Sequence, residues 1–387
     1  MEAGIFRKDS MAVKGKKALE KIPGYVPARS INSIQEAYGQ KRIIKLAANE
    51  NNLGCSPAVA KALAKEADQL SRYPDYANTR LLERLTVLHG VTDQELIFTD
   101  GSFELISIIA QVYLNPGEES VTADPSFGWY ENVTKQNGAS MVKVPLKDNQ
   151  TDLDGLLQAI TEKTKIIWLC NPNNPVGSMV DHGQIYQFLK KVPDRILVVL
   201  DEAYIDFASE GHTVDSVSLI HEFNHVIALR TFSKLYGLAG LRLGYGIANA
   251  EIIEKLYTVK QPFNVNMAAQ IAAAASLDDK EFQEKVKKNN REGLQLYYQT
   301  LDRLGLEYVR SNGNFILFRT GIDSDLVVLR YLEQGILLRG GKEFGRPDWI
   351  RVTIGTPEEN RLVLKMLEKI ITENQTQRQE GADGISA

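Results

Sequence analysis

Short apolar runs alternate with amphipathic segments between about residues 95 and 260 of this 387-residue chain. Alternation of this kind predicts helices that cover a mostly parallel sheet, in which ligands collect outside the carboxyl ends of the strands. The runs predicted to be buried strands are Glu95–Thr99, Glu119–Ala123, Lys165–Cys170, Ile196–Leu200, Val226–Leu229 and Tyr245–Ala248. Helical patterns between them include Phe103–Leu114, Leu153–Ile160 and Gln184–Lys191.

The pattern changes after about residue 262 to helices mixed with short strands, which is typical of an α+β domain. Helices are expected at Ala268–Ala275, Lys280–Arg303, Leu326–Gln334 and Pro357–Ile371, and strands around Phe315–Arg319, Ile336–Arg339 and Trp349–Ile354. We therefore predict a flexible arm (1–20), a segment that joins the small domain (21–50), a large domain (51–262), a small domain with a connecting helix (263–372) and a disordered tail (373–387).

Charge and composition exclude several classes of partner. The net charge of −4 creates no global field that favours nucleic acid or an anionic membrane. Two cysteines, Cys55 and Cys170, form no disulfide framework, which is typical of the reducing cytoplasm. No run of roughly 18 apolar residues predicts a membrane span. Small molecules and other protein chains are the expected partners.

A single lysine lies in the segment Arg230–Gly244, which we call the lysine loop. Lys234 is flanked by Thr231 and Ser233, and Arg242 follows eight positions later, so hydroxyl and guanidinium donors surround it. Burial among the apolar residues of this loop lowers the pKa of a lysine and makes it a nucleophile. The pattern predicts a lysine that forms a Schiff base with an aldehyde cofactor that carries a phosphate.

Three further loops follow predicted strands and supply the other groups that a pyridine-aldehyde cofactor needs. Gly101 and Ser102 place free backbone N–H groups at a helix start, where a phosphate binds well. Asn174 lies between two prolines that hold its amide toward a ligand. Asp201 ends a buried strand and needs a cationic partner such as a protonated pyridine nitrogen, and Tyr204 reaches the ring hydroxyl.

Each loop alone has a simpler interpretation. The Gly101 loop could be only an N-cap turn, and the Asn174 loop only an Asn/Pro/Gly turn. Asp201 could belong to a structural ion pair, and Lys234 could be a solvated surface lysine. The four loops together, in this order and each after a strand, favour a cofactor site.

These loops resemble those of the fold-type I, pyridoxal-phosphate-dependent aminotransferases over roughly residues 20–372. The segments Ala47–Gly54, Arg72–Pro74 and Ile350–Glu359 are similar to the histidinol-phosphate aminotransferase branch of that family. The resemblance implies an α/β fold: a large domain with a mixed, mostly parallel seven-stranded sheet flanked by helices, and a small α+β C-terminal domain.

The resemblance also implies a role for each matching residue. Lys234 binds pyridoxal 5'-phosphate covalently and moves a proton, Asp201 keeps the pyridine nitrogen protonated, and Tyr204 acts on the ring hydroxyl. The other implied cofactor contacts are Gly101, Ser102, Phe103, Phe127, Asn174, Thr231, Ser233 and Arg242. Phe127 would stack on the ring, with core packing as its alternative role.

Substrate binding and assembly are implied in the same way. Arg351 and Arg339 match arginines that hold the acidic end of the substrate, and Tyr25 and Asn49 lie in matching N-terminal motifs. Tyr73 matches a tyrosine that reaches the phosphate from the neighbouring subunit, which implies a homodimer. Surface roles for the arginines and a surface Tyr-Pro turn are the alternatives.

The resemblance implies amino transfer between L-histidinol phosphate and 2-oxoglutarate in histidine biosynthesis. Both substrates carry a terminal anion, so one arginine pair could hold each of them in turn. The alternatives are an aromatic or other amino-acid aminotransferase, a threonine-phosphate decarboxylase-like enzyme, and a non-catalytic cofactor-binding regulator. Three departures from the family pattern bear on specificity: Phe103, Val176 and the segment Gly340–Asp348. No metal is expected in the site.

Overall fold

The computed structural model describes residues 15–20, 22, 31–39, 42–209, 211 and 214–383. Its strands are β1 (Ile44–Lys45), β2 (Leu96–Thr99), β3 (Glu119–Asp124), β4 (Ser140–Pro145), β5 (Thr164–Cys170), β6 (Leu197–Asp201), β7 (Val226–Thr231), β8 (Gly244–Ala248), β9 (Tyr308–Val309), β10 (Phe315–Arg319), β11 (Ile336–Leu337), β12 (Arg339–Gly340) and β13 (Trp349–Thr353).

The α-helices follow the amphipathic segments. They are α1 (Ile31–Tyr38), α2 (Pro57–Lys65), α3 (Thr79–His89), α4 (Ser102–Tyr113), α5 (Trp129–Gln136), α6 (Leu153–Gln158), α7 (His182–Leu189), α8 (Ser216–Glu222), α9 (Ala250–Tyr257), α10 (Met267–Asp278), α11 (Lys280–Leu304), α12 (Ser324–Glu333) and α13 (Pro357–Asp383). Short 3₁₀ helices lie at Lys17–Leu19, Ala67–Ser71, Asp93–Glu95, Ile205–Phe207, Ala239–Leu241 and Gly341–Phe344.

The large sheet has seven strands in the order β2-β8-β7-β6-β5-β3-β4. Strand β8 runs antiparallel to its neighbours β2 and β7, and the other pairs are parallel. The predicted mixed, mostly parallel sheet is confirmed. The sequence prediction missed β4, because this edge strand alternates exposed and partly buried residues and has no continuous apolar run.

Helices cover both faces of this sheet. One face packs against α2, α3, α6, α7, α8 and α10 through residues such as Leu85, Phe188 and Leu219. The other face packs against α4, α5 and α9 through residues such as Ile106 and Ile252. Because both faces are covered, the strands other than the edge strand β4 are largely buried, and a ligand site is expected at the strand ends.

Helix α10 packs onto the large sheet, although the sequence analysis placed the domain boundary before it. Its small residues Ala269, Ala272 and Ala273 are fully buried in the core that includes Leu81 and Leu85 of α3. Short side chains allow helices to approach closely, so this face fits against α2 and α3. The division into two domains otherwise stays a prediction.

The C-terminal part contains a four-stranded antiparallel sheet in the order β12-β13-β10-β9. Its core is shared with α11, α12 and α13 and includes Tyr297, Phe318 and Tyr331. Strand β1 pairs in parallel with β11, with Ile44 opposite Ile336, and so ties the N-terminal segment to this part of the fold.

Helix α13 continues to Asp383, so the structure differs from the disordered tail predicted from residue 373. Glu373 forms ion pairs with Arg330 at 3.3 Å and with Lys369 at 3.8 Å, which stabilise the helix up to that residue. Residues 384–387 and most of the predicted N-terminal arm lie outside the described residues. Within the described ranges, no helix has both the length and the apolar character needed to cross a membrane.

Candidate active site

Four loops meet at the carboxyl edge of the large sheet. Asp201 ends β6 opposite Cys170, the last residue of β5. Thr231 and Thr99 both lie opposite Gly244 at the start of β8, so the loops after β7 and β2 are neighbours. The sheet therefore brings together the loops that the sequence singled out, at the edge where open α/β folds bind ligands.

Tyr204 is the centre of a hydrogen-bonded cluster. Its hydroxyl accepts from Nδ2 of Asn49 at 3.0 Å and from Nδ2 of Asn174 at 3.2 Å. Burial raises the pKa of the Tyr204 phenol, so the hydroxyl stays protonated and has a hydrogen to donate. Nζ of Lys234 lies 5.5 Å from the centroid of the Tyr204 ring. The predicted nucleophile and the predicted ring-hydroxyl ligand are therefore neighbours.

Lys234 has the properties of an activated amine. Its Nζ donates to the carbonyl of Ala48 at 3.2 Å. Burial, with the positive charge of Arg351 as the next cause, lowers the pKa of Lys234 to about 8. About one tenth of the amine is therefore neutral near pH 7 and able to attack an aldehyde.

Asp201 is a buried acid, only 3% exposed. Its Oδ2 accepts from the hydroxyl of Tyr130 at 2.6 Å, and its Oδ1 accepts from the N–H of Ala203 at 3.2 Å. Burial raises the pKa of Asp201, while the Tyr130 hydrogen bond and the charge of Lys234 oppose that shift. A carboxylate in this setting is stabilised by a further positive charge, such as a protonated ring nitrogen.

Gly101 and Arg242 form a compact seat at the start of α4. Gly101 has a φ of +77°, and a Cβ at this position would lie 2.2 Å from Nη2 of Arg242, so only glycine fits. Arg242 itself has a φ of +56° and donates from Nη1 to the carbonyl of Ala239 at 2.9 Å. A guanidinium packed against the N-terminus of Ser102–Tyr113 is suited to bind an anion such as phosphate.

The hydroxyls of the lysine loop lie at its base. Thr231 and Ser233 are both buried, and Oγ1 of Thr231 accepts from the N–H of Ser233 at 3.1 Å. This bond shapes the turn that leads into Lys234. Binding of a phosphate by these two hydroxyls stays a prediction.

Phe127 belongs to an aromatic cluster beside Asp201. Its ring meets Tyr130 edge to face at 5.4 Å and Phe103 edge to face at 5.1 Å. Phe103 also contacts Trp129 at 5.4 Å between ring centroids, and its side chain is 44% exposed. Phe103 is thus the solvent-facing end of the cluster. Stacking of Phe127 on a cofactor ring stays a prediction.

Arg351 is buried on β13 and joins the same cluster from the C-terminal part of the fold. Nη1 donates to Oδ1 of Asn174 at 2.6 Å, and Nη2 donates to the carbonyl of Ala47 at 2.7 Å. Its guanidinium lies 5.5 Å from the ring centroid of Phe315 and 5.4 Å from that of Phe344. Among the described residues its buried Nε has no hydrogen-bond partner, which leaves a donor for a ligand.

The charge of Arg351 is maintained near neutral pH. Burial, followed by the neighbouring charge of Arg339, lowers its pKa to about 10. Arg339 lies directly opposite it in the β12–β13 pair and forms an ion pair with Glu343. Two arginines side by side on one sheet are suited to bind an acidic group, and that role stays a prediction for Arg339 and Arg351.

The three sequence departures have distinct surroundings. The unusual segment contains the 3₁₀ helix Gly341–Phe344, which carries Phe344 to the Arg351 guanidinium. Val176 is fully buried and packs with Val309, Leu317 and Trp349, away from solvent. Phe103, as described, faces solvent beside the predicted phosphate seat.

Among the described residues, Tyr73 lies apart from the Tyr204 cluster. Tyr73 is 80% exposed and stacks on Phe263 at 5.0 Å between ring centroids. Its predicted role needs a second copy of the chain and stays a prediction. Tyr25 lies outside the described residues.

Sequence reasoning missed three residues that hold the site together. Tyr130 binds Asp201, Oγ1 of Thr353 accepts from the N–H of Asn49 at 2.9 Å, and Nδ2 of Asn314 donates to the carbonyl of Asn49 at 3.1 Å. Thr353 follows Arg351 by two positions on one strand, which predicts a shared face. No sequence signal singled out Tyr130 or Asn314.

The residues fit a phosphorylated pyridine aldehyde. A partly neutral lysine, a buried carboxylate, a phenol with two amide partners and a cationic seat at a glycine-started helix occupy one edge of the sheet. The observation that bears on the phosphate is the close contact of Gly101 with Arg242, because it lets the guanidinium lie against the start of α4.

Comparisons with known proteins agree with this chemistry. The family aminotransferase class I and II matches residues 41–367. The chain is 42% identical over 356 residues to a histidinol-phosphate aminotransferase of Caldicellulosiruptor saccharolyticus, covering 92% of this chain and 99% of that protein. It is 40% identical over 360 residues to one of a Geobacillus strain, covering 93% and 99%. The histidinol-phosphate aminotransferase of Sinorhizobium meliloti, solved with pyridoxal-5'-phosphate, superposes with a TM-score of 0.86 at 26% identity, covering 94% and 99%.

Proposed function

Because the chain belongs to the class I and II aminotransferase family, we propose that it transfers an amino group between L-histidinol phosphate and 2-oxoglutarate with pyridoxal 5'-phosphate as cofactor. The observation that carries this proposal is the continuous cluster from Lys234 over Tyr204 and Asn174 to Arg351. In this cluster the amine proposed to bind an aldehyde is linked through Tyr204 and Asn174 to the guanidinium proposed to bind a substrate anion.

When bound, the cofactor supplies an aldehyde and an electron-withdrawing pyridine ring that stabilises negative charge on the substrate α-carbon. Asp201 holds a proton at the ring nitrogen, since a buried carboxylate is stabilised by that positive charge. Tyr204 donates its hydroxyl hydrogen to the ring oxygen, and the amides of Asn49 and Asn174 fix the phenol in place.

Lys234 carries out the proton transfers. With its lowered pKa, the amine would accept a proton from the substrate α-carbon near neutral pH and would deliver it to the cofactor. The phosphate would be held by the N–H groups that start α4 and by the side chains of Arg242, Ser102, Thr231 and Ser233.

Arg351 binds the acidic end of each substrate in turn. The unpartnered Nε and the adjacent Arg339 provide donors for a phosphate or for a carboxylate. The amino donor leaves its nitrogen on the enzyme before the keto acid collects it, so one anion site serves both half-reactions.

Homodimer assembly is part of the proposal. Tyr73, Tyr76 and Phe263 form an exposed aromatic surface, 80%, 49% and 44% exposed. Exposed apolar patches of this kind mark interaction sites. A second copy would cover this surface and receive Tyr73 at its cofactor phosphate. Sedimentation of the purified protein tests the assembly: a dimer supports it and a strict monomer contradicts it. We also propose that the protein acts in histidine biosynthesis in the cytoplasm.

A half-reaction screen tests the substrate directly. Holoenzyme is mixed separately with histidinol phosphate, phenylalanine and threonine phosphate, and the visible cofactor band is followed. We expect histidinol phosphate to bleach it at the lowest concentration and 2-oxoglutarate to restore it. Preferential bleaching by phenylalanine would assign an aromatic aminotransferase, and carbon dioxide release from threonine phosphate would assign a decarboxylase.

A further inference from the structure

A buried ion pair joins the two strand ends that carry the central groups of the site. Nε of Arg230 donates to Oε2 of Glu202 at 2.7 Å, and the two side chains are 17% and 1% exposed. Glu202 follows Asp201 directly, and Arg230 precedes Thr231 directly. The pair therefore adjoins both the loop with the acid and the loop with the lysine.

The ion pair lies on the face of the sheet opposite to Asp201. Side chains alternate between faces along a strand. Leu200 and Ala228 pack into the core of one face, and Val199 and Leu229 pack into the core of the other. Asp201 thus shares the face of Val199, while Arg230 shares that of Ala228. The pair therefore lies behind the candidate site, on the face of the sheet away from Asp201.

Further hydrogen bonds fix the pair in one geometry. The N–H of Glu202 donates to the carbonyl of Leu229 at 3.0 Å, which extends the β6–β7 ladder beyond Asp201. Oγ of Ser216, the first residue of α8, donates to Oε2 of Glu202 at 3.0 Å. Burial lowers the pKa of Arg230, but the charges of Glu202, Tyr245 and Asp206 together raise it above its ordinary range, so the guanidinium stays charged. Burial raises the pKa of Glu202, and the charge of Arg230 opposes that shift.

A buried ion pair is weak evidence for fold stability, since well-packed apolar replacements of both members are often neutral or stabilising. Its geometry, in contrast, is specific, because Nε bonding fixes the guanidinium plane. We propose that Arg230 and Glu202 are positioning residues that hold the Asp201 loop in register with the Lys234 loop and thereby set cofactor affinity and turnover. The inference rests on the proposed function for the identity of the cofactor.

Two variants separate positioning from stability. Glu202→Gln keeps the shape and removes the charge, and the double variant Glu202→Leu/Arg230→Met removes both charges. For each, the dissociation constant of pyridoxal phosphate from the apoprotein, the melting temperature, kcat and the KM for 2-oxoglutarate are measured. Arg319→Met, which breaks the exposed pair with Asp348, is the matched control.

We expect both variants to bind pyridoxal phosphate at least tenfold more weakly and to lose at least tenfold in kcat. The KM for 2-oxoglutarate should stay within twofold, because Arg351 and Arg339 are unchanged. Arg230→Lys keeps the positive charge, so its losses in cofactor affinity and kcat should be smaller than those of Glu202→Gln. Arg319→Met should match the wild type in both quantities.

Cofactor affinity and kcat within twofold of the wild type in Glu202→Gln would overturn the inference, whatever the melting temperature does. The Glu202→Gln variant alone tests the positioning role if the double variant fails to fold. A wild-type protein that binds no pyridoxal phosphate would instead overturn the proposed function, so the two failures are distinguishable.

Discussion

The hydroxyl of Tyr130 lies 2.6 Å from Oδ2 of Asp201, and both side chains are buried. The Tyr130 ring stacks on Trp168 at 5.0 Å between centroids, nearly parallel at 4°. The strand-end acid is thus oriented by a phenol that is itself held by packing. Because Tyr130 holds Oδ2 of Asp201 from the core side, it controls the direction in which Oδ1 points.

Tyr130→Phe should impair catalysis without unfolding the protein. Hydrogen bonds to charged groups contribute about 1.5–3 kcal/mol, so we expect kcat to fall about 10- to 100-fold at saturating cofactor. Tyr297→Phe is the matched control, because Tyr297 is also fully buried and its hydroxyl has no partner among the described residues. Equal kcat values in the two variants would remove Tyr130 from the mechanism.

Arg351→Ala should raise the KM of both substrates while the cofactor band persists. Loss of charge-assisted hydrogen bonds from a buried guanidinium predicts an increase of about 10- to 100-fold in each KM. Arg361→Ala, an exposed arginine paired with Glu358, should behave as the wild type. Steady-state kinetics with each substrate varied decide the matter, and two unchanged KM values would place the anion site elsewhere.

The apoprotein should react with aldehydes in a pH-dependent way that follows Lys234. The neutral amine is the nucleophile, so the rate should rise with pH around a midpoint of about 8 and fall about tenfold for each unit below it. In Arg351→Ala the midpoint should move upward, because that arginine lowers the pKa of Lys234. Stopped-flow absorbance with pyridoxal measures the profile, and a midpoint above 10 would contradict the activated amine.

Val176→Thr should reduce stability and leave turnover unchanged. The side chain is fully buried with Leu317 and Trp349, so a hydroxyl there would be desolvated at a cost of about 1–3 kcal/mol. Urea unfolding of the variant measures that loss. A kcat changed more than threefold would mean that Val176 acts in the site and not in packing.

The sequence predicted most of the large sheet because fully buried parallel strands appear as continuous apolar runs. It missed β4, whose alternating pattern at a sheet edge has no such run, and it divided the chain before α10, whose alanines carry no sign of which core they join. Periodicity identifies an element but does not name the element that it packs against.

The candidate site was predictable where a residue type follows a strand, as for Asp201, Asn174 and Lys234. The connections between them were not, since Tyr130, Asn314 and Phe344 reach the site through the tertiary packing of distant segments. In the sequence, Tyr130 and Phe344 look like core aromatic residues, and Asn314 looks like a surface amide. Only the folded structure shows that they contact the site.

Borohydride reduction of the native holoenzyme, followed by peptide mapping, tests the central claim most directly. The structure provides an internal control, because Lys260 is buried, only 7% exposed, and contacts Tyr76 and Tyr257 away from the Tyr204 cluster. We predict one pyridoxyl group per chain, on Lys234. A reduced protein with the label on Lys260 or another lysine, or with no label, would contradict the account.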